Sequence, residues 1–183
     1  RELSARRKDG TIEHRIFKDI IDYLNKDDLF VLNNTKVLNS RLKALRLTGG
    51  KVEVLLLKPK NGLVFSALIK PNRVKLGEKI IFDGSTTLTI NPERSRRINS
   101  GKIYGVISGK NEITFNTKNI NTVYSLGLIP LPPYIKREPE DLDNIYYQTV
   151  YATKGGSIAS PTAGLHFTGE FIKRIKAFGT NIA

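Results

Sequence analysis

The chain predicts an α+β fold, a mixed α/β main domain with an inserted small antiparallel β-barrel domain, and three observations carry that expectation. Apolar residues recur at helical spacing near both ends, six short strand-like runs crowd the middle, and turn dipeptides separate those runs. The expected division is 49–115 for the barrel, with 1–48 and 116–183 as the two parts of the main domain.

Taken in order, Phe17, Ile20, Ile21 and Leu24 form one apolar stripe of a short helix that Asn25 to Asp28 ends. Leu29 to Leu32 is a continuous apolar run, read as a central strand buried on both faces, and Asn33-Asn34-Thr35 turns the chain after it. Val52–Leu57, Val64–Ile69, Lys79–Phe82, Thr86–Ile90, Ile103–Ser108 and Glu112–Phe115 are the six expected barrel strands. Asn61-Gly62 and Asp83-Gly84 tolerate the positive φ of tight hairpin turns. Between strands, 91–101 is a polar loop carrying Arg94, Arg96 and Arg97, read as a solvated surface ahead of phosphate binding. Thr117 is the expected cap of a helix through Ile120, Val123 and Tyr124 that Gly127 stops. Leu131-Pro132-Pro133-Tyr134 is expected to run extended as a rigid strap. A final helix starts at Thr168 as N-cap, buries Phe171, Ile172 and Ile175, and stops at Gly179.

Composition narrows the chemistry. With 183 residues and 39% apolar content the chain is long enough to fold around a core. A formal charge of +13 biases it toward polyanions such as nucleic acid, although solubility or a lysine-rich proteome accounts for such a surplus equally well. The absence of cysteine excludes disulfides, thiolate zinc and cysteine-held iron–sulfur clusters, and with only His14 and His166 no multi-histidine metal site is expected. No apolar run approaches the roughly 20 residues of a membrane-spanning helix, and the expectation is a cytoplasmic protein with no membrane partner. The chain begins at Arg1, contains no methionine and ends soon after Gly179, so it reads as a fragment.

Chemistry concentrates in Ser157 to Thr168, where small and hydroxyl residues lead into a helix N-terminus. Small side chains let backbone approach a ligand and hydroxyls suit ribose or carboxylate groups, while the plain alternative is an ordinary turn and cap. No phosphate loop, dinucleotide fingerprint or nucleophile elbow occurs anywhere. His166 is the imidazole beside this loop, of a type suited to proton transfer near neutrality, though a lone histidine is more often structural. Tyr146, Tyr147, Gln148 and Tyr151 precede the loop, with rings that stack on an unpaired base or simply pack; Asp141 and Asp143 form a local acidic patch.

Three strings stand out in order: Ile129-Pro130-Leu131-Pro132-Pro133-Tyr134-Ile135, Tyr147-Gln148-Thr149-Val150-Tyr151-Ala152, and Ser160-Pro161-Thr162-Ala163-Gly164-Leu165-His166-Phe167-Thr168. Together they resemble the S-adenosylmethionine:tRNA ribosyltransferase-isomerase family of queuosine biosynthesis, and Leu29–Leu42 with Gly49–Leu57 resembles its earlier segments. Asn34 stands where the family usually has aspartate, Asn39-Ser40 where proline and alanine are common, and Ser160 where alanine is usual.

The resemblance implies transfer and isomerisation of the ribosyl part of S-adenosylmethionine onto the aminomethyl-deazaguanine base at the tRNA wobble position. Epoxyqueuosine forms, and adenine and methionine leave. S-adenosylmethionine is then a co-substrate, tRNA the macromolecular partner, and no metal or redox cofactor is implied. On that scheme His166 moves the proton with Thr162 beside it, and Thr168 contacts ribose or the methionine end. Arg137 or Lys136 pairs a carboxylate or phosphate; Tyr147 and Tyr151 stack on a base with Gln148 alongside; Asn33, Thr35, Lys36 and Arg41 border the same cleft. The family continues past the position of Ala183, so part of the site is expected there, and a monomer is expected. The competing expectations are a non-catalytic RNA-binding β-barrel module and a small-molecule transferase without an RNA substrate.

Overall fold

The computed structural model describes residues 2–6, 10–82 and 103–183. Two compact units emerge, one made of Arg1–Lys36, Gln148–Lys154 and Ser160–Ala183, the other of Val37–Tyr147 and Gly155–Ala159.

The second unit is built on a closed antiparallel barrel. Its strands are β5 (Arg41–Arg46), β6 (Lys51–Pro59), β7 (Val64–Lys70), β8 (Lys79–Phe82), β9 (Ile103–Gly109) and β10 (Glu112–Phe115), hydrogen-bonded in the order β10-β7-β6-β5-β8-β9 with β9 pairing back to β10. Alternation explains it: Leu42 and Ala44, then Val52, Val54 and Leu56, then Phe65, Ala67 and Ile69 all turn inward, where closure removes them from water and leaves no sheet edge unpaired. Phe65 meets Phe115 and Tyr124 edge-on at 5.6 and 5.9 Å in that core. Gly105 is required by space, because a β-carbon there would lie 2.5 Å from Ile113 Cδ1.

Turn chemistry follows the expectation at Asn61-Gly62, where Gly62 takes φ +57° and Val64 N–H donates to the Asn61 carbonyl at 3.0 Å. The expected run Thr86–Ile90, the Asp83-Gly84 turn and the loop arginines Arg94, Arg96 and Arg97 lie outside the described residues. Arg41–Arg46 supplies a barrel strand upstream of the 49–115 span, with Leu42 and Ala44 inward and charged residues between them. Residues 37–48 and 116–147 accordingly group with the barrel rather than with the chain's ends.

Helix α1 (Ile120–Ser125) is capped by Asn119, whose side chain accepts from Asn121 N–H at 2.8 Å, not by Thr117. Gly127 matters through close approach: a β-carbon would run into the Asn39 carbonyl, and that proximity lets Leu128 exchange backbone hydrogen bonds with Arg41 at 2.8 and 3.1 Å. The proline strap is not extended throughout. Ile135 N–H donates to the Pro132 carbonyl at 2.9 Å, a turn that the fixed φ of Pro133 favours at its second position. A one-turn helix, α2 (Asp143–Tyr146), follows.

In the first unit β1 (Glu2–Arg6) and β2 (Ile12–Ile16) form an antiparallel hairpin. The apolar stripe from Phe17 forms a 3₁₀ helix, Phe17–Tyr23, whose entry is fixed by the Asp19 carboxylate accepting from Ile16 N–H at 3.2 Å. The Leu29–Leu32 run departs from expectation. β3 (Leu29–Phe30) pairs in parallel with β12 (Asn181–Ile182), and Leu29 and Val31 are 61% and 73% exposed while Phe30 and Leu32 face the core. Side chains alternate across it, so one face is buried and not both. Helix α3 (Gly169–Phe178) is as expected: Phe171 N–H donates to Thr168 Oγ1 at 3.1 Å, Phe171 and Ile175 are buried, and Gly179 ends the helix at φ +103°. β4 (Thr35–Val37) and β11 (Lys154–Ser157) form a two-stranded ladder.

Candidate functional site

Around the loop, the first unit is organised by an aromatic cluster. Phe167 is buried, and the rings of Phe17, Phe30, Tyr151 and Phe171 surround it at centroid distances of 4.9, 5.5, 6.1 and 6.0 Å. Thr162–His166 coils as a 3₁₀ turn into that cluster, which leaves Thr162 exposed at its start and His166 half-buried at its end. The His166 imidazole lies 5.0 Å from the Phe17 ring, tilted by 54°, so one edge of it is fixed by packing. Thr168 is exposed but its Oγ1 already accepts the Phe171 N–H, which leaves its hydroxyl proton for a ligand.

Gly164 explains why the turn sits where it does. A β-carbon at that position would run into the Tyr151 hydroxyl and lie 2.8 Å from Thr149 Cγ2. The absence of a side chain lets Tyr151 slide beneath the loop backbone. Burial pushes the Tyr151 phenol up, partly offset by the neighbouring Thr149 hydroxyl, so the group stays neutral and can donate a hydrogen bond at physiological pH. The Ser160 hydroxyl, at the entrance to the loop, is buried and finds no hydrogen-bond partner among the described residues.

The turn after β3 joins the same unit. Asn33 Oδ1 accepts from Thr35 N–H at 3.0 Å, and the Asn34 carbonyl accepts from the Thr153 and Lys154 N–H groups at 2.9 and 3.2 Å. Thr35 Oγ1 donates to the Lys154 carbonyl at 3.5 Å, and Lys36 is exposed. Asn33 and Thr35 are thereby tied to the strand leaving Tyr151, so residues distant in sequence share one body with His166. Gln148, half-buried, belongs to it as well.

Arg41, Arg137 and Tyr147 belong to the barrel unit, and both arginines are engaged with carboxylates. Arg137 grips Asp143 with both guanidinium nitrogens, at 2.6 and 2.7 Å, and Asp143 also accepts the Glu140 N–H at 2.7 Å. The guanidinium and that N–H hold the Asp143 carboxyl down to about 2. Asp143 is therefore half of a structural clamp, and of the acidic patch only Asp141 is exposed. Arg41 reaches Glu53 at 2.9 Å, and Lys43 beside it reaches Glu138 at 2.8 Å, which fastens the chain after the strap to β5. Tyr147 is only 8% exposed, so its ring faces are covered; Tyr146, beside it, is 70% exposed and presents the open aromatic surface. The period of a one-turn helix decides which of two adjacent tyrosines points out, and the sequence pattern there was too short to tell them apart.

A cavity of about 500 Å³ opens beside the strap, lined by Asn39, Ile129, Glu140, Asp141 and Asn144 among others. Of these, Asp141, Ile129 at the head of the first motif string, and Asn39 as a departure from the family pattern already stand out in the sequence. Asn39, Glu140 and Asn144 come together only through the Arg41–Leu128 bridge and the Asp143 clamp, which carry no local sequence signal. Among the described residues no group of three or more histidine or acidic side chains is placed to hold a metal ion, and no helix is long and apolar enough to cross a membrane.

A family model described as queuosine biosynthesis protein matches residues 1–183. A protein of Sulfurihydrogenibium sp. named S-adenosylmethionine:tRNA ribosyltransferase-isomerase is 43% identical, over 100% of this chain and 52% of its own length. One of the same name from Thermosipho africanus is 41% identical, over 100% and 50%. A solved structure of an S-adenosylmethionine tRNA ribosyltransferase from Thermotoga maritima matches at 26% identity and a TM-score of 0.35, over 100% of this chain and 48% of that one. The chain spans about half the length of the curated relatives it matches.

Proposed function

The chain belongs to the queuosine biosynthesis protein family, and from that premise we propose that it is part of an enzyme that transfers and isomerises the ribosyl moiety of S-adenosylmethionine onto tRNA. The observation that carries this reading is 43% and 41% identity, along the whole chain, to relatives bearing that activity in their names. The acceptor is the aminomethyl-deazaguanine base at the wobble position, and the product is epoxyqueuosine with adenine and methionine released.

Such a reaction needs a base to take the proton next to the sulfonium, a donor to assist departure of adenine, and an amine held against the anomeric carbon. Methionine leaves as the epoxide closes. We assign proton transfer to His166, a half-buried imidazole oriented by the Phe17 ring. Thr162 and the free hydroxyl proton of Thr168 flank it as ribose or methionine contacts, and Asn33, Thr35, Lys36, Gln148 and Tyr151 complete this wall from the same unit. Arg137 acts by holding the chain at Asp143 rather than by meeting an anion directly, Arg41 is committed to Glu53, and Tyr147 is too buried to offer a ring face to a base. The non-catalytic RNA-binding module is the weaker reading, because the match to these relatives covers the whole chain and not the barrel alone.

The test incubates the full-length protein with labelled S-adenosylmethionine and tRNA bearing the deazaguanine precursor, then measures adenine release and label in tRNA. His166→Ala is expected to lower turnover by about 100-fold or more while tRNA binding is kept. Binding of tRNA without any adenine release would instead establish the binding module, and turnover unchanged in His166→Ala would remove this histidine as the base.

A further inference from the structure

One end of the barrel carries a groove that the chemistry above leaves unused. β7 runs out at Lys70, the turn 71–78 leads back to β8, and the β9–β10 turn lies beside it. Backbone hydrogen bonds lock the turns together: Gly77 N–H to the Ile107 carbonyl at 2.8 Å, Ile107 N–H to the Glu78 carbonyl at 3.0 Å, and Ala67 N–H to the Asn111 carbonyl at 2.9 Å. Between them is a space of about 360 Å³ with an apolar floor that includes Ile69, Val74 and Ile107. At its lip Leu68 and Leu76 are 47% and 73% exposed, an unusual outlay of apolar surface on a barrel whose inner residues are sealed.

The rim is cationic. Lys70 and Lys110 line the groove, and Arg73 and Lys75 stand exposed in the adjoining turn. The two carboxylates nearest in the chain are already committed. Glu78 is held by both nitrogens of the Arg46 fork and by Lys75 N–H, and Glu112 by Lys60 and Ser108. Among the described residues none of the four cations forms a salt bridge; Lys75 adds to the field that holds the Glu78 carboxyl below the usual carboxylate range, and Glu53, across the ladder from Lys70, is paired with Arg41, so the rim keeps a net positive charge. The Asn72 and Asn111 side chains, also exposed at the groove, add donors and acceptors of the kind that read a base edge or a ribose hydroxyl.

We propose that this groove is a docking surface for RNA, in which Lys70, Arg73, Lys75 and Lys110 pair with successive phosphates while a nucleoside lies against Leu68 and Leu76. An apolar shelf between cations suits a polyanion whose charges alternate with flat apolar rings. An acidic peptide would satisfy the rim and leave the shelf bare. The identity of the RNA as the tRNA substrate rests on the functional reading above; the surface itself rests on the groove and its charges.

The experiment measures binding of substrate tRNA to the full-length protein by fluorescence anisotropy across a range of salt, in parallel with adenine release. Combining Lys70→Ala, Arg73→Ala and Lys110→Ala is expected to weaken binding about tenfold at low salt and to make the log–log salt dependence shallower by about two. The KM for tRNA should rise with it and kcat at saturating substrate should not change. Leu76→Ser should weaken binding without altering the salt slope, a readout that a purely electrostatic surface would not give. Unchanged affinity and slope in the triple variant, with circular dichroism showing the barrel intact, would overturn the proposal. So would loss of polyglutamate binding with tRNA binding preserved. A wild-type protein that binds tRNA through this groove but releases no adenine would defeat the functional reading alone.

Discussion

The barrel and the smaller unit solve the same packing problem to different degrees. In the barrel, Leu42, Val54, Phe65, Ala67, Ile80 and Ile113 are all fully sealed, and closure leaves every strand paired on both sides. In the unit that carries His166, the buried apolar residues of the core are Phe167, Phe171 and Ile175, with Phe17, Phe30 and Tyr151 only partly covered around them. The difference teaches where adjustment is cheap. A closed barrel resists any change of volume, whereas a small aromatic cluster with half-exposed rings can shift to admit a ligand at modest cost. The candidate chemistry sits in the second kind of place, and the barrel offers rigid surface.

The sharpest way to break that comparison is to cut the same kind of hole in both. Ile113→Ala removes three carbons at 0% exposure inside the closed barrel, and is expected to cost about 4–5 kcal/mol in chemical denaturation followed by circular dichroism. Ile175→Ala, also at 0% exposure, should cost less, about 2–3 kcal/mol, because the half-covered rings around it can close on the space. Equal losses would show that the smaller unit is packed as tightly as the barrel.

A smaller effect sharpens the description of the loop. Gly164→Ala puts a methyl against the Tyr151 hydroxyl and is expected to cost about 1–3 kcal/mol and to lower turnover of the full-length protein. Adding Tyr151→Phe, which removes the offending oxygen, should restore part of the stability. Failure of the second substitution to help would mean that Thr149 Cγ2, at 2.8 Å from the added carbon, is the contact that matters.

Most of the barrel was legible because its signal is local and has period two. Val52, Val54 and Leu56 alternate with charged or half-exposed neighbours, and the same logic caught Phe65, Ala67 and Ile69. The strand Arg41–Arg46 escaped because its alternation breaks at Leu45, buried beside Ala44, and its outward positions are basic residues with long apolar stems. The cap at Thr168 and the stop at Gly179 were legible for the opposite reason, as chemistry confined to single positions. The strap's turn was missed because prolines fix φ in a range that serves extended chain and turns alike.

The site was legible as strings and not as an arrangement. That His166, Tyr151 and Gly164 belong together is written in their proximity along the chain, but their link to Asn33 and Thr35 runs through hydrogen bonds from Thr153 and Lys154 that no spacing announces. The clamp between Arg137 and Asp143 spans six residues, yet an arginine near an aspartate in sequence has no preferred partner until a turn presents both oxygens.

That clamp supplies the mildest and most specific test, since it lies outside both cores and its contribution is confined to pH above the carboxylate range. The folded Asp143 carboxyl is held at about 2, below its ordinary 3.8, so the folded state binds this proton less readily than the unfolded chain does. Its contribution is therefore fully present above about pH 5 and is lost as pH falls through the ordinary carboxylate range toward 2. Asp143→Asn removes the titrating group while keeping one oxygen for Arg137, so the small stability gap between variant and wild type should be flat at neutral pH and shrink on acidification. Acid titrations of the two proteins, followed by circular dichroism, read that gap directly. A gap that persists unchanged to pH 2 would mean that Asp143 fastens the chain by its shape and its bond from Glu140 N–H, and that the charge on Arg137 remains available to a ligand after all.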